Sequence, residues 1–160
     1  MAPLPRLCSS FAPAVLLLLY GCTTEPSAQL LGTWESAAEG LDPAGWHQTR
    51  LTFGPNGMFA SDVRSYGVYG GQGDNDLSSY SRIEGDYEVE GNQLIFHSRR
   101  LILWDRFHGP NAQEQVEEPY SITLFDDAHY TIQGDHLHLQ YLSYPADAPI
   151  ETSREFLRVD

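Results

Sequence analysis

"YTIQGDHLHL" at residues 130–139 and "YEVEGNQLIF" at residues 87–96 decide how this chain folds. Both follow the pattern Tyr-x-(Val/Ile)-x-Gly-(Asn/Asp)-x-Leu-x-(Phe/Leu). Residues i and i+2 of a strand share a face. A Gly-Asn or Gly-Asp pair suits a two-residue hairpin loop, because positive φ is cheap for Gly and tolerable for Asn or Asp. With Gly134 and Asp135 in the loop, Gln133 opposes His136, Ile132 opposes Leu137, Thr131 opposes His138 and Tyr130 opposes Leu139. One face of this hairpin then carries Tyr130, Ile132, Leu137, Leu139 and Tyr141. The other carries His129, Thr131, Gln133, His136, His138 and Gln140. The sister hairpin sorts the same way, with Tyr87, Val89, Leu94 and Phe96 against Asp86, Glu88, Glu90, Gln93 and His97.

Working outward, "LTFGPNGMF" (51–59) places Pro-Asn-Gly between Phe53 and Phe59, a third hairpin. Almost nowhere after residue 30 is there a helical period; short alternating runs are separated by Gly, Asn, Asp and Pro. Strands are expected near 30–36, 46–53, 58–68, 80–90, 93–104, 119–125, 128–133, 136–143 and 152–159. A sheet with one apolar and one polar side must close or fold over. The fold class is therefore all-β, an antiparallel up-and-down barrel of about eight strands.

His136 and His138 lie two apart on the polar side of their hairpin, with His129 diagonal to His138. Three imidazoles within about 7–8 Å are a possible metal grip, but no carboxylate of the local pattern completes a ligand set. A solvated sheet face is the preferred reading, and no metal site or cofactor is assigned. Asp74, Asn75 and Asp76 in "GGQGDNDLSS" (70–79) lack the Gly and Glu positions of a calcium loop, which leaves a rim loop. The acidic "EQVEE" (114–118) reads as solvated. "LILW" (101–104) breaks alternation, so either a bulge falls near Ser98–Arg100 or both strand faces are covered. A sharper possibility is a barrel-mouth or partner surface made by Ile102, Trp104 and Phe107. No nucleophile motif, phosphate loop or carboxylate pair stands out, so the chain is not read as an enzyme; a metal-dependent enzyme is the remaining alternative.

The start of the chain carries a different kind of information. "MAPLPRLCSSFAPAVLLLLYGC" has one early charge, Arg6, an apolar stretch around Val15–Leu19, and a small residue before Cys22. The run is too short to span a membrane as a stable helix and suits a signal peptide. Its Leu-x-Gly-Cys end resembles the lipobox of bacterial lipoproteins. That resemblance implies a signal peptide at 1–21, a lipid-bearing Cys22 (palmitate among its acyl chains), and a tether at 22–29 ahead of a domain at 30–160. It also implies a cell-envelope location, facing the periplasm, with membrane attachment through the lipid. Thr23 after the cysteine favours the outer membrane. Cys8 would leave with the signal, so no disulfide supports the core. The net charge is −13, there is no lysine, and losing Arg6 makes the balance one unit more negative. Nucleic acid and anionic head groups need a basic face and are poor partners; the acidity serves solubility.

Gly32 and Trp34 in "LLGTWES" (30–36) precede the hairpins, and "REFLRV" (154–159) closes the chain. Together with Leu51, Phe53, Asn56, Gly57, Phe59, Gly85, Tyr87, Gly91, Leu94, Phe156 and Arg158, this resembles the calycin superfamily, specifically small bacterial lipocalin-like domains. The resemblance implies that Trp34 plugs one barrel end and that Arg158 packs across it, or Arg154 if the register differs. It also implies binding of a small apolar or amphipathic molecule. The expected ligand contacts are the apolar hairpin faces: Tyr87, Val89, Leu94, Phe96, Tyr130, Ile132, Leu137 and Leu139. The Tyr87 and Tyr130 hydroxyls are placed to hold a polar end of the ligand, and nothing in the strand pattern calls for a positively charged partner beside them. The alternative is a filled barrel acting as an interaction or assembly module of the envelope, with a protein partner and no small ligand.

Overall fold

The structure is a computed structural model that describes residues 28–40, 45–67, 76–106, 109, 111–145 and 148–159. Its strands are β1 (Gly32–Ser36), β2 (Glu39–Gly40), β3 (Trp46–Phe53), β4 (Met58–Tyr66), β5 (Leu77–Glu90), β6 (Gln93–Asp105), β7 (Gln115–Glu117), β8 (Asp126–Gln133), β9 (His136–Ser143) and β10 (Ile150–Arg158). Every pairing is antiparallel, and β1 pairs with both β10 and β3, which closes the sheet. The result is an eight-strand up-and-down barrel, to which β2 and β7 are short additions. This architecture is compatible with the lipocalin-like expectation.

The hairpins adopt the register that their turns dictate. Tyr130 pairs with Leu139 and Ile132 with Leu137, while Tyr87 pairs with Phe96 and Val89 with Leu94. Gly91 and Gly134 have φ of 64° and 61°, the left-handed conformation that a tight hairpin turn demands. Phe53 pairs with Phe59 across the third turn. The bulge anticipated near Ser98–Arg100 is present: Gly85 faces Ser98 while Glu84 faces Arg100.

Alternation along these strands puts one set of side chains inside. Trp34, Leu51, Phe53, Phe59, Tyr87, Val89, Leu94, Phe96, Leu137, Leu139 and Phe156 form one buried cluster, with Leu30 and Ala128. Burial contributes about 1.5–3 kcal/mol for each large side chain, which is how the fold is held among residues that include no cysteine. The rings meet edge to face, Phe53 on Tyr87 and Phe59 on Phe96, both at 5.0 Å, the geometry their quadrupoles favour. Trp34 is fully buried and donates from Nε1 to the Leu30 carbonyl at 2.8 Å. Arg158, its register partner, lies 4.1 Å above the indole. Arg158 also donates to the carbonyls of Leu31 and Gln29 at 2.6 and 2.5 Å, which straps residues 29–31 across the barrel end. The plug arginine is thus Arg158, and Arg154 has a different place. Gly32 opens β1 opposite Phe53.

One expected strand is absent. Residues 119–125 form no ladder; β6 pairs instead with the short β7, and with β8 only at Gln93–His129 and Leu94–Ala128. Pro119 has no N–H to give a ladder. Phe125 has a φ of 52°, a left-handed value that interrupts a strand. Of the apolar residues that suggested a strand, Leu124 and Phe125 instead fill the seam and pack on the core, Phe125 edge-on to both Phe96 and Tyr141, whereas Ile122 is exposed.

Cross-strand charges line part of the outer surface. Glu35 pairs with Arg50, which sits opposite Asp62 in the ladder, and Arg82 bridges Asp62 and Glu84 at 3.7 and 2.9 Å. Arg100 continues the row to Glu84 and Glu118 at 3.5 and 3.7 Å. Asp62 is buried, whereas the arginines and the other acids keep contact with solvent, and such exposed pairs stabilise little, about 0–1 kcal/mol each. Their consequence is that these arginines neutralise nearby acids and do not form a basic patch.

Candidate functional site

The barrel has two unlike halves. Around Trp34 the interior is solid side chain. Toward the other end, alternation and register turn smaller and more polar residues inward. Ser36, Thr49 and Ser61 are buried there, and Ser81, Ser98 and Thr152 are half-buried. Cross-strand partners share a face, so the Ile83–Leu101 and Ser81–Leu103 pairs of β5 and β6 also face inward. Leu103 is nevertheless 41% exposed. Leu103 thus faces inward by register and is still open to solvent, unlike the buried cluster around Trp34.

The outward residues of the same strands are better covered. Ile102 is buried and pairs with Val116 of β7, while Trp104 stacks on Tyr80 and donates to the Ala112 carbonyl at 3.2 Å. Both explanations for the broken alternation of 101–104 therefore hold: a bulge precedes it and the outer face is covered. Phe107 and residues 70–75 lie outside the described residues, so the surface proposed for Ile102, Trp104 and Phe107 is placed only in part.

One charged cluster sits at the open end. Arg154 lies two residues from the buried Phe156 in β10, opposite the fully buried Leu139, and therefore points inward. Its Nη1 donates to Thr49 Oγ1 at 3.0 Å, and its Nη2 is 3.3 Å from Glu39 Oε1. The other Glu39 oxygen is 3.3 Å from His47 Nε2. The strand pattern had not called for a charged group beside the apolar lining, and the structure places one there. The sequence signal was available, since Arg154 shares parity with Phe156, but the residues between Arg154 and Glu39 in the chain hide their meeting.

The eight hairpin residues read as ligand contacts do converge inside the barrel. Tyr87, Val89, Leu94, Phe96, Leu137 and Leu139 are buried in the core cluster, and Tyr130 and Ile132 pack against it. They touch one another and the plug. The Tyr87 hydroxyl is already committed, donating to the Gly54 carbonyl at 3.1 Å. Burial, together with nearby Tyr130, pushes its pKa up from 10.0 to about 12. The folded state then keeps a proton that the unfolded chain releases above pH 10, so this contribution to stability is complete below that pH and declines between pH 10 and pH 12. Tyr87→Phe should flatten the alkaline decline in melting temperature; an unchanged decline would assign it to another group.

The histidines stand where the hairpin reading put them. His136 and His138 are on the outer face, their rings 6.5 Å apart. Glu155 of β10 joins them, 2.6 Å from His136 Nδ1 and 3.9 Å from His138 Nε2. This carboxylate comes from a neighbouring strand and was invisible in the local pattern. Among the described residues, no three His, Cys, Asp or Glu side chains gather as a metal site. Replacing both histidines with Gln should change stability by no more than about 1 kcal/mol, as for exposed ion pairs. A large loss, or stoichiometric zinc in the wild-type protein, would overturn the solvated-face reading.

Open clefts lie on the outer surface beside these groups. One of about 390 Å3 includes Ala37, Gln48, His136, Leu157 and Val159. A second of about 330 Å3 runs over Asp127, His129, Gln140 and Glu151. A shallower one of about 90 Å3 touches Asn92, Tyr130 and His138. Apart from Phe156 and the partly buried Tyr130 and Tyr141, none of these linings draws on the core cluster. Cys22 and the signal peptide lie outside the described residues. No family model, no curated protein and no solved structure matches the chain.

Proposed function

We propose that the chain is a lipid-anchored, lipocalin-like protein of the calycin superfamily, located in the bacterial envelope, that binds a small apolar or amphipathic molecule at the open end of its barrel. The observation that carries this reading is the division of the interior. One half is closed by Trp34, Arg158 and the aromatic cluster, and the other turns hydroxyls and the half-exposed Leu103 inward. In this reading Tyr87, Val89, Leu94, Phe96, Tyr130, Ile132, Leu137 and Leu139 are the apolar floor of the site. One buried polar atom near that end, His47 Nδ1, has no hydrogen-bond partner among the described residues. Buried polar groups are normally satisfied, and a polar ligand group or water meets that need.

Anchoring rests on the sequence before residue 28. Cys22→Ser should abolish incorporation of labelled palmitate and leave precursor or soluble protein; persisting label would refute the anchor. Ligand binding is tested by titrating the protein with a fluorescent apolar probe, where saturable one-to-one binding is expected. Absence of binding would favour the second reading, a filled barrel acting as an interaction module of the envelope. The tight packing of the plugged half is what favours that alternative.

A further inference from the structure

We propose that the barrel stands on the bilayer with its plugged end down, so that its open end faces the aqueous compartment and is filled from water. This rests on the anchoring reading and adds the orientation, with a lipid surface as the partner of the plugged end.

The topology sorts the strand connections between two ends. Phe53 pairs with Phe59, Val89 with Leu94 and Ile132 with Leu137, so the turns at 54–57, 91–92 and 134–135 share one end. Gly32 faces Phe53 and Trp34 faces Arg158, which puts the plug at that same end. Arg158 also ties it to the last of these turns, its backbone N–H donating to the Asp135 carbonyl at 2.8 Å. The opposite strand ends, Trp46, Tyr66, Leu77, Asp105, Ser143 and Ile150, surround the open end.

The chain enters the domain at the plug. Arg158 holds the carbonyls of Gln29 and Leu31, and Leu30 between them is fully buried, so no slack remains after Gln29. Cys22 lies six residues before Ala28, a reach of at most about 20 Å when fully extended. β6 runs from plug to open end in 13 residues, roughly 30 Å along the axis at the tilt of such barrels. With the open end down, the plug would therefore stand farther from the bilayer than the tether can stretch. With the plug down, the tether reaches easily.

The surface of the plugged end fits a lipid partner. Met58 follows the 54–57 turn, and Val159 donates its N–H to the Thr33 carbonyl at 3.0 Å; they are 48% and 46% exposed. The outer cleft of about 390 Å3 runs from Val159 and Leu157 up the wall toward Ala37 and Gln48. The open end also exposes Leu103, Tyr144 and Ile150, so apolar exposure alone does not choose an end; the tether does. Charge agrees with it. The three plug-end turns carry one acid, Asp135, whereas Glu39, Asp105, Glu114 and Glu151 lie toward the open end, where an anionic bilayer would repel them.

The test uses the mature lipidated protein in phosphatidylcholine vesicles. Cys8 would leave with the signal and the Cys22 sulfur would carry lipid, so one introduced cysteine is the sole thiol for a dye. Asn56→Cys and Asn92→Cys place the dye on plug-end turns, and Gln113→Cys and Ala148→Cys place it at the open end, all at exposed positions. Energy transfer to an acceptor on the lipid head groups should be several-fold more efficient from the first two than from the last two. Inserting a long Gly-Ser linker between Thr24 and Glu25 should bring the two ends toward equal transfer, because such a chain holds its ends only loosely. Equal transfer without the linker, or stronger transfer from the open end, would overturn the inference and leave the anchor standing. Protein that fails to float with the vesicles would overturn both.

Discussion

Trp34→Ala should destabilise the protein by about 3–5 kcal/mol, the usual cost of deleting a buried large aromatic. In a domain of this size that is a fall in melting temperature of roughly 10–20 °C. Several terms are lost together. The indole is fully buried in the core cluster, its Nε1 donates to the Leu30 carbonyl at 2.8 Å, and its face carries Arg158 at 4.1 Å. Truncation leaves a cavity where β1, β3 and β10 meet, and frees residues 29–31 from the ring they cover. Thermal unfolding monitored by circular dichroism measures the effect. An unchanged melting temperature would mean that Trp34 does not plug the barrel.

Gly85→Ala is expected to cost about 3 kcal/mol or more, at the upper end for an overpacked site, although it adds one methyl group. The bulge at Ser98–Arg100 brings the β6 backbone over Gly85. A Cβ there would lie 2.0 Å from the His97 carbonyl oxygen and 3.0 Å from the Phe59 ring. The oxygen is backbone, so relief requires moving β6 and the Phe96 side chain it carries. Chemical denaturation of Gly85→Ala against Gly91→Ala separates this steric effect from helpful or harmful changes elsewhere. Gly91 has open space around a Cβ and only its positive φ to lose. If Gly85→Ala were the milder of the two, the close approach of β6 would be wrong.

Local pattern was informative wherever it was sufficient. Turn chemistry at Gly91-Asn92 and Gly134-Asp135 specified the register of two hairpins, and period-two alternation then sorted their faces. The pairing of Trp34 with Arg158 came from the calycin resemblance, which left Arg154 as the alternative; the closure of β1 on β10 makes Arg158 the partner. The failures are non-local. Residues 119–125 carry strand-like Tyr, Ile and Leu, yet Pro119 and the left-handed Phe125 break the ladder, so that Leu124 and Phe125 fill the seam while Ile122 is exposed. Glu155 beside His136, and Glu39 beside Arg154, join residues from different strands through barrel closure, which no single stretch encodes. The candidate site was therefore visible as an apolar lining but not as a place: its floor could be read from hairpins, whereas the charged group at its rim required the assembled barrel.

In the function proposed above, the open half of the barrel, and not its outer clefts, takes up the ligand. Backbone amide chemical shifts during titration with dodecanoic acid test it most directly. Saturable changes should concentrate at Thr49, Ser61, Ile83, Ser98, Leu103 and Arg154, on five different strands whose side chains meet only inside the barrel. Saturable changes confined to the outer residues His129, Gln140, Glu151 and Leu157, or no saturable change at all, would contradict the claim.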